Sequence, residues 1–423
     1  MKSYLLNFLM AHGRRLQWSN ATFACATVLS GVMLTVVAVV FARLAYGIVL
    51  PFMRTGLGLG YQEAGNLATA GALSYLCVVI PAGMFSAHHG ARASIFLGLG
   101  LIILGFGGLS IGSHYVLLIA MMGILGIGTA FSYTPAISLL ASRFPQRRGV
   151  VIGLLNSGVG VGMLSAGALV PCLAAAYGDM GWRLVWGVFA AATAVTLLIS
   201  FVFMRPSDAP VVHPRTVSYA PLDKMAVYRN RKVVIVGLIY GAIGLSYIVQ
   251  AVFMYSFALE SGLSASATGH MVVMSGVLTV ISSPCWGWFS DRFKRHRALS
   301  LAILFTLASI AIPVIWPVHA AFAAHYIIAG CTITGVFVSI LAVAAEAVTP
   351  RLVPLAISYV TFFFAIGQFI GPAAAGLIIE GAGGFRVLFA IICLVLLAGL
   401  LLSRRLSHAG ENALERNSRK STR

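Results

Sequence analysis

Charged residues are scarce in this sequence. They make up only 9% of the 423 residues, whereas about 25% is usual for a soluble domain. Only 10 residues are Asp or Glu, 60% are hydrophobic, and the mean hydropathy is +0.96. So few polar groups cannot cover the apolar surface of a water-soluble protein of this length, and the composition therefore predicts a protein that lies in a lipid bilayer.

Motifs of several other classes of protein are missing as well. The six cysteines form no CxxC pair, and no Walker A lysine loop is present, which argues against a disulfide framework and against ATP hydrolysis. No convergent cluster of His, Asp, Ser or metal ligands indicates an enzyme, a metal or another cofactor. No groove-reading motif accompanies the net charge of +18, so nucleic acid is not the expected partner.

What the sequence does contain is a series of apolar runs of about 20 residues, the length that crosses a bilayer as a helix. Short loops with Arg, Lys, Gly, Pro or His separate them. We therefore predict an all-α membrane protein with twelve transmembrane helices. Their approximate spans are 22–53, 64–87, 93–112, 115–142, 149–176, 182–204, 232–259, 265–290, 297–316, 319–346, 353–380 and 384–403.

The basic residues lie almost entirely on one side of these predicted spans. If the N-terminus is inside the cell, 24 of the 28 Lys and Arg residues fall in cytoplasmic loops and tails. By the positive-inside rule, both termini are cytoplasmic. The same distribution explains the net charge, and it predicts a multi-pass protein of a bacterial inner membrane.

One long polar segment divides the chain. It contains Pro206, Pro210, Pro214 and Pro221 and is typical of a flexible linker. The predicted organisation is a cytoplasmic N-tail (1–20), an N-terminal six-helix bundle (21–204), a cytoplasmic linker (205–231), a C-terminal six-helix bundle (232–403) and a flexible cytoplasmic C-tail (404–423).

An internal repeat supports this division. Gly65 and Gly83 bracket the second span, and Gly269 and Gly287 bracket the eighth, with an offset of 204 residues. Gly178-Asp-Met-Gly-Trp-Arg183 returns as Gly381-Ala-Gly-Gly-Phe-Arg386, at an offset of 203 residues. Because six spans restore the original direction, the halves are expected to be parallel repeats about a pseudo-two-fold axis along the membrane normal.

Arg43 lies within the first apolar span. A charged side chain near the bilayer centre costs at least about 2.5 kcal/mol and usually faces a cavity. Tyr46 shares its helix face, and the repeat offset carries this pair onto Tyr247 and Gln250 of the seventh span. We predict that these four side chains form the floor of a substrate cavity in which Arg43 attracts an anion. The alternative is that Arg43 snorkels to the outer surface.

Five more polar residues are predicted at membrane depth, and together they favour a lined cavity. For each of them alone, a hydrogen bond between helices is an equally good interpretation. They are Tyr133, Asn156, Tyr240, Tyr359 and Gln368.

The loop after the eighth span reads Gly287-Trp-Phe-Ser-Asp291-Arg292-Phe-Lys-Arg295. It resembles the loop motif of the major facilitator superfamily, in which a glycine precedes an Asp-Arg pair and further basic residues. The first-half equivalent keeps Gly83 and Arg92 but has Ala87 in place of the aspartate. The resemblance implies a cytoplasmic gate formed by Gly287, Asp291, Arg292, Arg295, Gly83 and Arg92. A plain positive-inside loop is the alternative.

Two further stretches refine this resemblance. Arg43-Leu-Ala-Tyr46 and Ile366-Gly-Gln368-Phe-Ile-Gly371-Pro372 resemble the bacterial YbfB/YjiJ-like branch of the superfamily, and Phe144-Pro-Gln-Arg-Arg-Gly149 is similar to monocarboxylate and oxalate:formate-type carriers. The resemblance implies a secondary transporter that moves a small solute, an organic anion, by alternating access, with coupling to a proton or a counter-solute open. A non-transporting membrane sensor or assembly module on the same scaffold is the alternative.

Overall fold

The structure is a computed structural model, and it describes residues 20–204, 225–292, 295–349, 352–381 and 383–421. Long helices dominate these ranges, and the described residues form no β-strand. The prediction of an all-α chain is confirmed. The predicted linker lies largely outside the described residues, apart from the short helix Met225–Tyr228 that precedes the second half.

The first half of the chain contains six long helices. We number them α1, formed by Asn20–Thr35, Val36–Leu44 and Tyr46–Leu57, α2 (Tyr61–His89), α3 (Ala91–Ile111), α4 (Tyr115–Arg143), α5 (Arg148–Tyr177) and α6 (Gly181–Phe203). The second half contains α7 (Arg231–Glu260), α8 (Ala265–Arg292), α9 (Arg295–Ile315), α10 (His319–Glu346), α11 (Val353–Gly381) and α12 (Gly384–Ser421).

The described residues contain eleven continuous apolar segments that are long enough to cross a membrane. One of them, Gly149–Phe203, is 55 residues long and includes both α5 and α6, which the turn Gly178–Met180 separates. Counted as helices, the crossings therefore number twelve, as predicted.

Two elements differ from the prediction. The first span is not one regular helix, because Val36–Leu44 is wound as a π-helix. The C-tail was expected to be flexible, yet α12 continues as a helix to Ser421. Hydropathy marks where the chain crosses the membrane but carries no information on the winding of α1, and the charged, Ser-rich composition from which a disordered C-tail was expected does not exclude a helix.

One cluster of buried aromatic and aliphatic side chains continues through both halves, and a second cluster lies within the second half. In the first half, the ring of Phe41 stacks on that of Phe189 with centroids 4.0 Å apart, and Trp186 is fully buried beside them. In the second half, Ile303 and Ile340 lie in a cluster with the buried residues of α7. The two six-helix bundles pack against each other along a seam, and this seam positions the candidate site.

The seam is formed by α2 against α11, α5 against α8, and the last segment of α1 (Tyr46–Leu57) against α7. Glycines allow the closest approaches. A Cβ atom on Gly47 would overlap the carbonyl oxygen of Ala251, and one on Gly65 would overlap that of Pro372. In the described part of the chain, every hydrogen bond across the seam lies either near the middle of the helices or towards the end at which α1 reaches Leu57 and α7 reaches Glu260. We call the end with Leu57 and Glu260 the closed end.

Candidate functional site

Arg43 lies in the last turn of the π-helical stretch. The amide of Ala45 donates to the carbonyl of Val40, five residues earlier, at 2.8 Å. Such wide turns are rare in proteins and are frequently found at functional sites. Val40 and Phe41 are buried in the first bundle while Arg43 is half-buried, so the anchored backbone holds a charged side chain at membrane depth.

The guanidinium group of Arg43 reaches across the seam. Nη2 donates to Oε1 of Gln368 on α11 at 2.8 Å, and the group lies over the ring of Tyr75 on α2, with Cζ 4.7 Å from the ring centroid. A guanidinium has five N–H donors, and Gln368 accepts from one nitrogen among the described residues. Arg43 also lines a small pocket with Gly71, Gly126 and Ile248, which we call the Arg43 pocket. The pocket has a volume of about 20 Å³, which is room for about one water molecule, and the other donors of Arg43 have no hydrogen-bond partner among the described residues.

Tyr75 contacts Arg43, and two further tyrosines, one from each bundle, lie in its vicinity. Tyr133 on α4 and Tyr247 on α7 are close enough to interact electrostatically with Arg43, as Tyr133 also does with Tyr75. The hydroxyl of Tyr133 donates to Oδ1 of Asn156 at 2.9 Å. The structure thus brings Arg43, Tyr133, Asn156, Tyr247 and Gln368 into one region. Tyr75 was not among the predicted residues, although as a tyrosine in an apolar span it carried the same signal as Tyr133.

Three other predicted residues already have structural contacts. Tyr46 lines the Arg43 pocket, but its hydroxyl donates to the carbonyl of Ala64 at 2.9 Å, which joins α1 to α2. The ring of Tyr240 stacks on Phe364 with centroids 4.5 Å apart. Gln250 donates to the carbonyl of Ser246 on its own helix at 3.2 Å.

Tyr359 lies apart from this group. Its ring packs edge-to-face against Tyr228 and Phe363. It precedes Gln368 by nine residues on α11, which corresponds to about 13 Å along a helix. Its contacts are those of a packing residue near the start of α11.

A larger cavity extends from Tyr247 into the second bundle, and we call it the C-terminal arm. Its volume is about 120 Å³, which is room for several water molecules or part of an organic solute. Tyr247, Gln250, His325 and Tyr326 contribute its polar lining together with hydroxyl side chains of α8. The two cavities share no lining residue. Tyr247, which is close enough to Arg43 to interact with it electrostatically, lines the C-terminal arm and connects it to the region of Arg43. His325 and Tyr326 were missed, although a histidine in an apolar span was visible in the sequence.

The closed end is held by a polar cluster that the sequence did not reveal. The hydroxyl of Tyr61 at the start of α2 donates to Oε1 of Glu260 at the end of α7. Arg54 lies over the ring of Tyr61, 4.1 Å from its centroid, and 4.0 Å from the same carboxylate. Oε1 of Glu380 accepts the backbone amide of Gln62 at 3.1 Å. These partners are 199 or more residues apart in the chain, so no local pattern could pair them.

Two of the described residues of the predicted gate make polar contacts within their own bundles, and two are exposed. Arg92 donates to the carbonyl of Phe201 on α6 at 2.7 Å. Nε of Arg295 lies 3.2 Å from a carboxylate oxygen of Glu346. Gly83 and Arg292 are exposed. The side chain of Asp291 and the surroundings of Gly287 lie outside what the structure describes, and the gate stays a prediction.

Comparison with known proteins gives a consistent result at the level of the whole chain. The family model described as "Uncharacterised MFS-type transporter YbfB" matches residues 35–404. A crystal structure of a mutant of the nucleoside transporter NupG has the same fold, with a TM-score of 0.76 and 12% identity, covering 90% of this chain and 99% of that one.

Named relatives with 22–24% identity span most of the sequence. Monocarboxylate transporter 12 of Mus musculus is 24% identical over 376 residues, which is 78% of this chain and 74% of that protein. The match to the Rattus norvegicus form covers 62% of its length. The hexuronate transporter of Bacillus subtilis (strain 168) is 22% identical over 381 residues, which is 82% of this chain and 86% of that protein.

Proposed function

Because the chain belongs to the YbfB-type family of transporters in the major facilitator superfamily, we propose that it carries a small organic anion across a bacterial inner membrane by alternating access. The observation that carries this proposal is the position of Arg43. It is a permanent positive charge at membrane depth, with donors left over after its bond to Gln368 and with Tyr75, Tyr133 and Tyr247 around it.

The energetics favour an anion as the solute. A buried cation costs several kcal/mol unless it is paired, and among the described residues no carboxylate is paired with Arg43. Gln368 supplies only a neutral acceptor. A planar guanidinium binds a carboxylate through two parallel hydrogen bonds, so a substrate carboxylate is the partner that best completes the site.

The conformation fits one state of an alternating-access cycle. The positive-inside distribution assigns the closed end to the outer side of the membrane. With the seam sealed there, the site would be reached from the cytoplasm, and the second state would arise when the two bundles rock about the site. The driving gradient would be one of protons or of a counter-solute. Among the described residues, no carboxylate lines the Arg43 pocket or the C-terminal arm.

The names of two relatives support the chemistry. One is named for monocarboxylates and the other for hexuronates, and both kinds of compound carry a single carboxylate. Arg43 is the one permanently charged residue in the described lining of the two cavities, which matches one carboxylate per substrate.

The test is uptake of labelled carboxylates into proteoliposomes that contain the purified chain, with wild type compared to Arg43→Lys and Arg43→Ala. Lysine keeps the positive charge but not the planar, forked guanidinium group, so we expect reduced uptake by Arg43→Lys and none by Arg43→Ala. Arg183→Lys is a matched control, because Arg183 donates to the backbone carbonyls of Ser110 and Gly112 and lines neither cavity. Wild-type uptake by Arg43→Ala would contradict the proposal, as would failure of every carboxylate under both gradients.

A further inference from the structure

The lining of the C-terminal arm differs in chemistry from the Arg43 pocket. Arg43 offers donors and a positive charge, whereas the polar groups of the arm are neutral. A carboxylate carries only acceptors, so it fits the first pocket and leaves the hydrogen-bonding groups of the second without a partner. The part of the substrate that lies in the arm must satisfy them, because unpaired polar groups in a desolvated site weaken binding.

Two side chains show which kind of partner the arm requires. Nδ1 of His325 lies 2.9 Å from the carbonyl oxygen of Ser309 on α9. A carbonyl can only accept, so Nδ1 carries the hydrogen, and Nε2 of the neutral ring is left as an acceptor. Gln250 uses Nε2 to donate to Ser246, which leaves its Oε1 as a second acceptor. Both side chains line the arm and call for hydrogen-bond donors on the solute.

Three tyrosines line the arm, and the hydroxyl of one of them, Tyr255, donates to the carbonyl of Ala265 at 2.9 Å. Tyr247 and Tyr326 make ring contacts, but neither hydroxyl has a hydrogen-bond partner among the described residues, and neither is sealed from the cavity. A phenolic hydroxyl both donates and accepts. The arm therefore presents acceptors and amphoteric groups but no cation, which suits alcohol hydroxyls and disfavours a second carboxylate.

We propose that the C-terminal arm is a hydroxyl-recognition subsite, and that the substrate is a hydroxylated monocarboxylate whose carboxylate binds Arg43 while its hydroxyls bind Gln250, His325 and Tyr326. This inference rests on the proposed function, since it assumes that an anion binds at Arg43. It adds a selectivity: plain aliphatic acids lack the donors that the arm needs, and diacids bring a charge that the arm cannot pair.

The experiment measures binding by isothermal titration of the purified full-length chain in detergent, which avoids leakage of weak acids through lipid. The hydroxylated probes are glucuronate, galacturonate and gluconate. Hexanoate has the same number of carbons and one carboxylate but no hydroxyl, and glucarate adds a second carboxylate. We expect at least one hydroxylated probe to bind about tenfold or more tightly than both hexanoate and glucarate.

Two variants test the residues. Tyr326→Phe removes one hydroxyl without changing the ring, and Gln250→Leu removes the amide while keeping its approximate volume. Each is expected to weaken the hydroxylated probe by about fivefold to thirtyfold and to leave hexanoate unchanged. Tyr115→Phe is the matched control, because the Tyr115 hydroxyl bonds to the carbonyl of Glu63 away from both cavities, and it should bind every probe as the wild type does.

The outcomes separate this inference from the proposed function. If hexanoate binds as tightly as the hydroxylated probes in an Arg43-dependent manner, and neither variant changes this, anion transport stands and the hydroxyl subsite is overturned. If glucarate binds best, the subsite is also overturned. If no carboxylate binds to the wild type or to Arg43→Ala, both proposals are overturned.

Discussion

Arg43 shows how a single residue can set the electrostatics of a membrane protein. Its bond to Gln368 joins a permanent charge to a neutral amide, so the site keeps its full positive charge while the guanidinium is held in place. A carboxylate at position 368 would instead neutralise it. At a separation of about 4 Å and an effective dielectric constant near 20, such a pair gains roughly 4 kcal/mol, which is comparable to the attraction available to a substrate anion.

Gln368→Glu is therefore expected to weaken carboxylate binding at least about tenfold, because the new side chain occupies Arg43 as a built-in competitor. Gln368→Met, which is similar in size and uncharged, should keep most of the affinity. Isothermal titration with the carboxylate probe that binds the wild type best measures both. Equal affinity in Gln368→Glu and the wild type would show that Arg43 does not receive the anion.

Several of the residues that lie near Arg43 could be identified from the sequence, whereas their contacts could not. Arg43, Tyr247 and Gln368 could be found because a polar side chain in an apolar span is conspicuous. That the Tyr46 hydroxyl bonds to Ala64, 18 residues away, depends on how α2 packs against α1. The pairing of Tyr61 with Glu260 depends on the packing of the two bundles. Hydropathy and spacing contain neither kind of information.

At the scale of elements, the twelve crossings follow from hydropathy alone, whereas the winding of α1 does not. The run Val36-Val-Ala-Val-Val-Phe41 is apolar all round, so it shows no periodicity from which a wide turn could be distinguished from a regular one. The glycines are more informative. Gly47 and Gly65 lie where two helices of different bundles touch through their backbones, and this is a general use of small residues in membrane proteins.

Gly47→Ala is expected to push α1 away from α7, because the added methyl group meets the carbonyl of Ala251. Overpacking of this kind typically costs about 1–3 kcal/mol. The closed end should loosen, which can be measured as a longer distance between spin labels at Thr55 and Gly381 in a cysteine-free background. The control is Gly100→Ala on α3, where a Cβ has open space. An unchanged distance in Gly47→Ala would argue against glycine packing as the seal.

At the scale of the whole molecule, the closed end combines backbone packing with the Arg54–Tyr61–Glu260 cluster. The side chains of Arg54 and Glu260 are 31% and 51% exposed and 4.0 Å apart. Ion pairs this exposed contribute about 0–1 kcal/mol, which is less than the packing at Gly47. Packing should therefore dominate the stability of the closed end, and the charges should adjust it.

Glu260→Gln is expected to change the ratio of the two states of the seam by less than about fivefold, because the amide oxygen can still accept from Tyr61 and only the exposed ion pair is lost. The same label pair, Thr55 and Gly381, reports the populations. Raising the salt concentration should reproduce the effect in the wild type and not in the variant. A complete opening in Glu260→Gln would assign the seal to the charges and not to the glycines.

The hydrogen bond from Arg43 to Gln368 ties α1 of one bundle to α11 of the other, and it has a kinetic consequence. Any rocking motion that separates these helices must break it, and a carboxylate bound to the other donors of Arg43 would keep the guanidinium paired when the bond breaks. Cargo would then lower the barrier to reorientation. Exchange of labelled for unlabelled solute across the membrane should be faster than net efflux of the solute, and Gln368→Met should reduce the difference between these two rates.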